Sequence, residues 1–269
     1  MSATQKHLPK QTSSSLTLFV ANMDLLPIAT CFVALVASIG SSIAGGGGGL
    51  LISPYMILIG LPPQVAVATP KLAGLGLAIG SVQRFARSNV INWRMVVWLA
   101  PISIVAGIVG PQILVQTSQK VVGYIVIAVS ISLSLATLKS KVGLEERQPS
   151  KRGRLLGYAL YSLIAILQAA FGSGIGSLIM FVFMGLLGMN ALAANATKRV
   201  VGVGILIPAS IILFSNGLID VPHGIAMLLG MYCGGWIGAH IAINRGSQFI
   251  RTAFIAVTIV TAITAAIRF

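Results

Sequence analysis

Apolar residues occur in long uninterrupted runs along the chain, and short stretches rich in glycine, proline or charge separate the runs. A run of about 20 mostly apolar residues is long enough to cross a bilayer as a helix. The pattern predicts ten helical segments, at 17–44, 49–60, 63–83, 95–115, 121–138, 155–171, 175–188, 191–214, 222–243 and 248–268. Two of these, 49–60 and 175–188, are too short to span comfortably, which favours half-helices or re-entrant pieces shielded by protein or a cavity.

Composition supports a membrane protein. Of the 269 residues, 56% are hydrophobic and 8% are charged, whereas a soluble domain has about 25% charged residues. We therefore predict an all-α, polytopic integral membrane helix bundle. Its expected organisation is a disordered tail at 1–16, a first membrane repeat at 17–138, a basic cytoplasmic linker at 139–154 and a second membrane repeat at 155–269.

The two membrane repeats resemble each other in sequence. Shifting the chain by 127 positions aligns the glycines of the two Gly-rich breaks, and after a one-residue insertion the shift becomes 128. The matched positions are Gly45, Gly47 and Gly49 with Gly172, Gly174 and Gly176, then Ala66, Ala68, Thr69, Lys71, Asn92, Gly107 and Gly110 with Ala194, Ala196, Thr197, Arg199, Asp220, Gly235 and Gly238. This agreement indicates an internal duplication.

Loop charges predict that the repeats are inverted. The loop after 63–83 carries Arg84, Arg87 and Arg94, which indicates the cytoplasmic side, while the equivalent loop at 215–221 has no basic residue. Equivalent loops on opposite sides of the membrane require inverted repeats, a recurrent design of secondary transporters. The formal charge of +14 is read in the same way, as cytoplasmic loop charge and not as a nucleic-acid surface.

Three cations fall inside predicted spans: Lys71, Lys198 and Arg199. A charge at bilayer depth is costly and normally faces a partner or a watery cavity. The four acidic residues of the chain lie elsewhere: Asp24 near the start of the first span, Glu145 and Glu146 in the linker, and Asp220 in a loop. The unpaired cations therefore predict an anion site. The alternative is that they snorkel to the interface or bond to backbone carbonyls.

The glycine-rich breaks fit such a site. Glycine ends a helix easily and lets the backbone approach a ligand, and the helix that follows begins with free N–H groups that favour anions. The predicted ligand contacts are Gly45, Gly46, Gly47, Gly172, Ser173 and Gly174, with Ser41, Gln168, Thr69, Thr197 and Asn195 supplying polar groups. For the hydroxyl groups, a bond to their own helix is an equally good interpretation. Other glycines, such as Gly76 and Gly80, are interpreted as packing positions.

Signatures of other functions are missing. The sequence contains no nucleophile elbow, zinc-protease motif or phosphate-binding loop, so we predict neither an enzyme nor a cofactor or metal site. Cys31 and Cys233 are expected to be free thiols in apolar segments. His240 is the only candidate proton carrier besides the amines, although a packing role is more common for a lone histidine.

The ordered motifs resemble one family. A Gly-rich cluster from Gly45 to Pro54 is followed by Gly60-Leu61-Pro62, then by Ala66-x-Ala68-Thr69, the loop 89–94 and Gly107-x-x-Gly110, and the second half repeats this series. Nearly the whole chain after residue 24 is similar to the TauE/SafE sulfite exporter family, also called the toluene-sulfonate uptake permease group. The resemblance implies transport of sulfite, sulfoacetate or related sulfur-containing or organic anions across a bacterial inner membrane.

We therefore predict a multi-pass transporter with a central anion site between the halves. It is expected to work as an exporter, because an anion leaving a negative-inside cell needs no coupled ion. The expected partners are a small anion and the lipid bilayer, with no nucleic acid, and a homo-oligomer is compatible with the sequence. A channel-like anion pore and a non-transporting membrane scaffold or assembly factor are the alternatives.

Overall fold

The computed structural model describes residues 13–46, 49–116, 143–144, 146–172 and 175–268. The described residues form helices joined by short turns and loops. The helices are α1 (Ser13–Ala44), α2 (Gly49–Leu58), α3 (Pro63–Ala86), α4 (Trp93–Gln116), α5 (Lys151–Phe171), α6 (Gly176–Phe181), α7 (Ala191–Ser215) and α8 (Val221–Arg268). The predicted helix at 121–138 and most of the predicted N-terminal tail lie outside the described residues.

Within the described ranges, six helices are long and apolar enough to cross a membrane: α1, α3, α4, α5, α7 and α8. Their outer faces are apolar, as contact with lipid requires. On α1, for example, Ile28, Phe32 and Val36 are each more than half exposed and follow one another at a spacing of four residues. The chain is therefore a multi-pass membrane protein, as its hydrophobic runs predict.

The two short segments are short in the structure as well. Helix α2 has 10 residues, a rise of about 15 Å, which is half the thickness of the hydrocarbon core. Helix α6 has 6 residues and continues into a π-helical turn at Val182–Leu186. Neither is long enough to cross a bilayer alone, so each lies within the bundle beside a glycine-rich break.

Several boundaries differ from the predicted ones. Helix α1 begins at Ser13, inside the predicted tail, and α5 begins at Lys151, inside the predicted linker, where the side chain of Ser150 accepts from the Gly153 N–H and caps the helix. The end of the linker is also bonded to the bundle, because the Arg147 N–H donates to the Gly188 carbonyl at 2.7 Å.

Helix α8 joins two predicted segments. The predicted turn between 222–243 and 248–268 is a single residue, Gly246, whose φ of 73° and ψ of −177° break the helical geometry. A left-handed φ of this kind favours glycine. The chain therefore passes from one helical arm to the next without a loop.

Packing in the bundle runs mainly between the two halves. Helices α1 and α3 of the first half pack on α8, while α5 and α7 of the second half pack on α4, and α3 also contacts α7. Glycines permit these close crossings. Gly230, Gly234 and Gly238 on α8 lie directly against the α1 backbone near Cys31, Leu35 and Ile39, where a side chain would not fit.

The close contacts come in pairs: each contact recurs with the equivalent positions of the two halves interchanged. Gly107 on α4 lies against the Ile205 carbonyl of α7, and Gly235 on α8 lies against the Leu77 carbonyl of α3. Both members of the second pair are 128 positions from those of the first. In the same way, Gly110 meets Ala169 while Gly238 meets Ser42. The same contacts are thus made twice, which the internal duplication predicts.

Candidate functional site

A cavity of about 110 Å³ lies in the middle of the bundle, where α1, α2, α3, α5, α6, α7 and α8 meet. The three cations that the sequence places at bilayer depth all line it. Lys71 comes from α3, and Lys198 and Arg199 come from α7. The exposed fractions of their surfaces are only 5%, 6% and 9%, respectively, so none of the three side chains snorkels to the membrane surface.

Lys71 reaches across to the second half. Its ammonium donates to the carbonyls of Ala169 and Ala170, the latter at 2.8 Å, in the last turn of α5. The last carbonyls of a helix have no partner within the helix and carry the negative end of its dipole. Lys71 therefore caps the end of α5, just before the Gly172 break, while it lines the cavity.

Lys198 and Arg199 make the equivalent contacts with the first half. Arg199 Nη2 donates to the Ser41 carbonyl at 2.5 Å and lies 3.4 Å from Ser41 Oγ, and Lys198 Nζ donates to the Gly45 carbonyl. These carbonyls belong to the end of α1 and the break that follows it. Each broken helix is thus held by cations of the opposite half, which is the carbonyl-bonding role that the sequence left open.

The carbonyls do not use all the donors of the cations. Among the described residues, Arg199 Nε is buried without a hydrogen-bond partner, and Lys198 Nζ has one carbonyl acceptor for its three possible N–H bonds. A buried, unpartnered donor is costly. The cavity therefore offers spare positive donors to a small ligand.

Two amides also lie near the breaks. Asn195 on α7 is fully buried and donates from Nδ2 to the carbonyls of Ser42 and Ile43 at 2.7 and 3.3 Å. Gln168 on α5 lines the cavity, and its Oε1 is buried without a partner among the described residues. Asn195 therefore fixes the end of α1, while Gln168 presents a free polar atom.

The hydroxyl groups of the two threonines near the cations accept hydrogen bonds from the backbone at the starts of other helices. Thr69 Oγ1 accepts from the Asp220 N–H at 3.0 Å, and Thr197 Oγ1 accepts from the Asn92 N–H at 3.1 Å. These bonds join α3 to the start of α8 and α7 to the start of α4. They form another pair that exchanges the halves, and neither threonine lines the cavity.

The structure thus brings together part of the predicted site. The predicted residues that line the cavity are Ser41, Gly46, Lys71, Gln168, Gly172, Lys198 and Arg199. Those that support it from behind are Gly45, Thr69, Asn195 and Thr197. Gly47, Ser173 and Gly174 lie outside the described residues, and direct contact of any of these side chains with a substrate stays a prediction.

Two hydroxyl-bearing residues of the cavity were not predicted: Ser38 and Ser53. Ser38 lies one turn before Ser41 on α1, a spacing that places both on one helix face. Ser53 sits in α2, where its neighbours are apolar and no sequence periodicity marks it. Ser38 could therefore have been predicted as a cavity residue from helical spacing, whereas only the fold shows that Ser53 lines the cavity.

His240 is not in the cavity lining. Its Nδ1 accepts from Arg84 Nε at 3.1 Å, its Nε2 lies 3.1 Å from Asn244 Nδ2, and its ring stacks on Trp236. These contacts tie α8 to the end of α3. They fit a packed residue better than a proton carrier at the cavity.

The chain is similar to known proteins over most of its length. A probable membrane transporter protein of Haemophilus influenzae is 28% identical over 233 residues, which cover 85% of this chain and 89% of the relative. The probable membrane transporter protein YfcA of Escherichia coli K12 is 27% identical over 245 residues, 91% of this chain and 90% of the relative. YjnA of Bacillus subtilis, also a probable membrane transporter protein, is 25% identical over 232 residues, 80% and 91% of the two chains.

The family model described as sulfite exporter TauE/SafE matches residues 30–265, a range that includes both glycine-rich breaks and all three buried cations. The family and these relatives are membrane transporters, in agreement with the multi-pass helical fold. The chain belongs to the TauE/SafE sulfite exporter family.

Proposed function

We propose that this transporter exports sulfite or a related small sulfur-containing or organic anion, which binds in the cavity between the two halves. One observation carries the proposal: Lys71, Lys198 and Arg199 line a single buried cavity whose described lining contains no carboxylate. Taking a charge out of water costs several kcal/mol per ion unless an opposite charge compensates it. An anion supplies that compensation.

The size of the cavity favours a small ion. Its volume of about 110 Å³ is well below the ~300–1,000 Å³ of pockets for drug-sized ligands. One water molecule occupies about 30 Å³ in the liquid, so the space suits an ion with a few heavy atoms. Sulfite and small sulfonates fit this limit, and larger aromatic sulfonates would require the cavity to widen.

We further propose that the halves are inverted repeats whose relative movement exposes the site to either side of the membrane. The exchanged contacts support this, because Lys71 binds the end of α5 while Arg199 and Lys198 bind the end of α1. A transporter with inverted repeats keeps its site near the midplane and moves the halves around it. A bound anion that competes for these cations would loosen both sets of carbonyl contacts together.

Membrane orientation provides a test of the inverted repeats. In a variant without Cys31 and Cys233, we expect a cysteine at Asn216 to react with a membrane-impermeant thiol reagent in intact cells, and a cysteine at Ser88 to react only after the cells are opened. Asn216 and Ser88 end equivalent helices, α7 and α3. Labelling of both positions from the same side would contradict the inverted arrangement.

The direction of transport follows from charge. An ion with net negative charge leaving a negative-inside cell is favoured by about 2.3 kcal/mol per charge at 100 mV. Export therefore proceeds without an additional energy source, in contrast to uptake.

Ligand binding and flux test the proposal together. Purified protein is heated with sulfite, sulfate, thiosulfate, methanesulfonate or acetate, and a ligand that binds the folded state raises the unfolding temperature. Efflux of the stabilising anion is then measured from proteoliposomes. We expect saturable efflux, which an inside-negative potential accelerates when net negative charge moves with the anion. Efflux without saturation would indicate a pore, and neither stabilisation nor efflux would favour a scaffold.

A further inference from the structure

The cavity places amines beside an arginine, and its described lining contains no acidic residue. Among the described acidic residues, Glu146 lies in the linker segment, and Asp220 is paired with His223 at 2.7 Å at the start of α8. Asp24 precedes Ser41 by 17 residues on α1, about 25 Å along the helix axis.

The groups that face Lys198 are neutral or positive. On its own helix the neighbour is Arg199; from α1 the carbonyl of Gly45 accepts its hydrogen bond; from the α5–α6 region Gln168 and Gly176 lie beside it. A carbon atom on Gly176 would be 3.1 Å from Lys198 Nζ. Lys71 lines the same cavity from α3.

These surroundings distinguish Lys198 from the other two cations. Arginine keeps its charge in proteins, so Arg199 stays positive whether or not the cavity is occupied. Lys71 has two carbonyl acceptors at the negative end of α5, which stabilise an ammonium. Among the residues that the structure describes, Lys198 has one carbonyl acceptor, and the fixed positive charge of Arg199 is next to it in sequence. A neutral amine keeps N–H groups that can still donate to that carbonyl, although more weakly than an ammonium.

We propose that binding of one anion in the cavity is coupled to the uptake of one proton by the amine of Lys198. In the empty cavity the Lys198 amine is neutral, which removes one of three positive charges held close together. When an anion enters, its charge favours the ammonium, and the amine takes a proton from solvent to become –NH₃⁺. The inference rests on the proposed function, because it requires an anion at this site.

The proton changes the charge that moves. If it travels with the anion, a monovalent anion crosses as a neutral pair, and a divalent anion crosses with one net negative charge. The absence of acidic residues at bilayer depth favours uncoupled or weakly coupled transport. Proton coupling does not require them here, because the amine of Lys198 carries the proton. The membrane potential would act on divalent substrates far more than on monovalent ones.

Calorimetry tests the coupling directly. Sulfate and methanesulfonate are suitable probes because their own charge stays constant between pH 6 and pH 9. Binding heats measured in two buffers of different ionisation enthalpy give the number of protons taken up. We expect about one proton per anion, and an affinity that falls as pH rises, by up to about tenfold per pH unit for one fully linked proton.

Variants at Lys198 identify the group. The substitution Lys198→Arg keeps a positive charge that does not titrate, so we expect anion binding without proton uptake. Lys198→Gln removes the charge, and we expect weaker binding that is insensitive to pH. Lys151→Arg at the exposed start of α5 is the matched control and should behave as the native protein.

The possible failures are distinguishable. Binding of sulfate or methanesulfonate without proton uptake by the native protein would overturn the proton coupling and leave the anion site intact; sulfite serves only to test binding, because it takes up a proton itself in this pH range. Proton uptake that persists in both Lys198→Arg and Lys198→Gln would overturn the assignment to Lys198. If the native protein binds none of the three anions at any pH between 6 and 9, the proposed function fails together with the inference.

Discussion

Replacing Lys71 and Arg199 together by methionine is expected to lower anion flux in proteoliposomes by about 100-fold or more, while the protein still folds. Hydrogen bonds to charged groups contribute about 1.5–3 kcal/mol each, and every 1.4 kcal/mol is tenfold in binding. Losing one such interaction from each half therefore predicts a loss of this size. Folding should persist because methionine fills the same buried volume and removes two charges that have no acidic partner.

The control is a change of identical chemistry at the surface. Lys151→Met with Arg152→Met removes the same residue types from exposed positions at the start of α5, and flux should stay within about twofold of the native value, since exposed charges contribute little. A second test variant, Lys71→Gln with Arg199→Gln, loses the charge but keeps an N–H donor group on a shorter side chain at each position. Native flux in both test variants would rule out an anion site at these residues.

Gly76→Ala is expected to lower the stability of the protein strongly. A side-chain carbon at Gly76 would overlap the Leu228 carbonyl of α8, and one turn later Gly80 meets the Tyr232 carbonyl in the same way. Backbone carbonyls cannot move aside as a flexible side chain can, so α3 would have to separate from α8. Overpacking of this kind costs about 1–3 kcal/mol, which corresponds to a fall of about 2–12 °C in melting temperature.

Gly40→Ala provides the matched control for this substitution. Gly40 lies within the spanning part of α1 and has no atom within 4 Å of the position that a side-chain carbon would occupy. Alanine there should leave the melting temperature unchanged or raise it slightly, because alanine favours a helix over glycine. Equal melting temperatures for Gly76→Ala and the native protein in detergent would mean that α3 and α8 do not cross as described.

Sequence reasoning recovered the helices well because each is encoded locally. A span requires a long apolar run, and the interruptions at glycine and proline are equally local, so α3, α4 and α7 fall within a few residues of their predicted bounds. Boundaries at polar segments were less accurate. Nothing local distinguishes the residues before Lys151 that pack against Gly188 from a solvated linker, since that contact joins distant parts of the chain.

The site was predictable to a lesser extent. Lys71, Lys198 and Arg199 stand out because charge at bilayer depth is rare, and the repeat pairs the first half with the second. The partners of these cations were not predictable, because a backbone carbonyl looks the same in sequence at every position. Thr69 and Thr197 illustrate the same limit, since only the fold brings Asp220 and Asn92 against them.

The sequence alone determined that this chain is a membrane protein and that its two halves share a sequence pattern. It also determined that the positive charges at bilayer depth have no acidic counterpart in sequence. These properties depend on composition and residue spacing, which are the same however the chain folds. Tertiary structure decided that the three cations meet in one cavity and that each half binds the broken helix of the other. Such convergence depends on how helices cross, and the crossings are set by backbone contacts at glycines such as Gly76 and Gly235, which sequence records only as missing side chains.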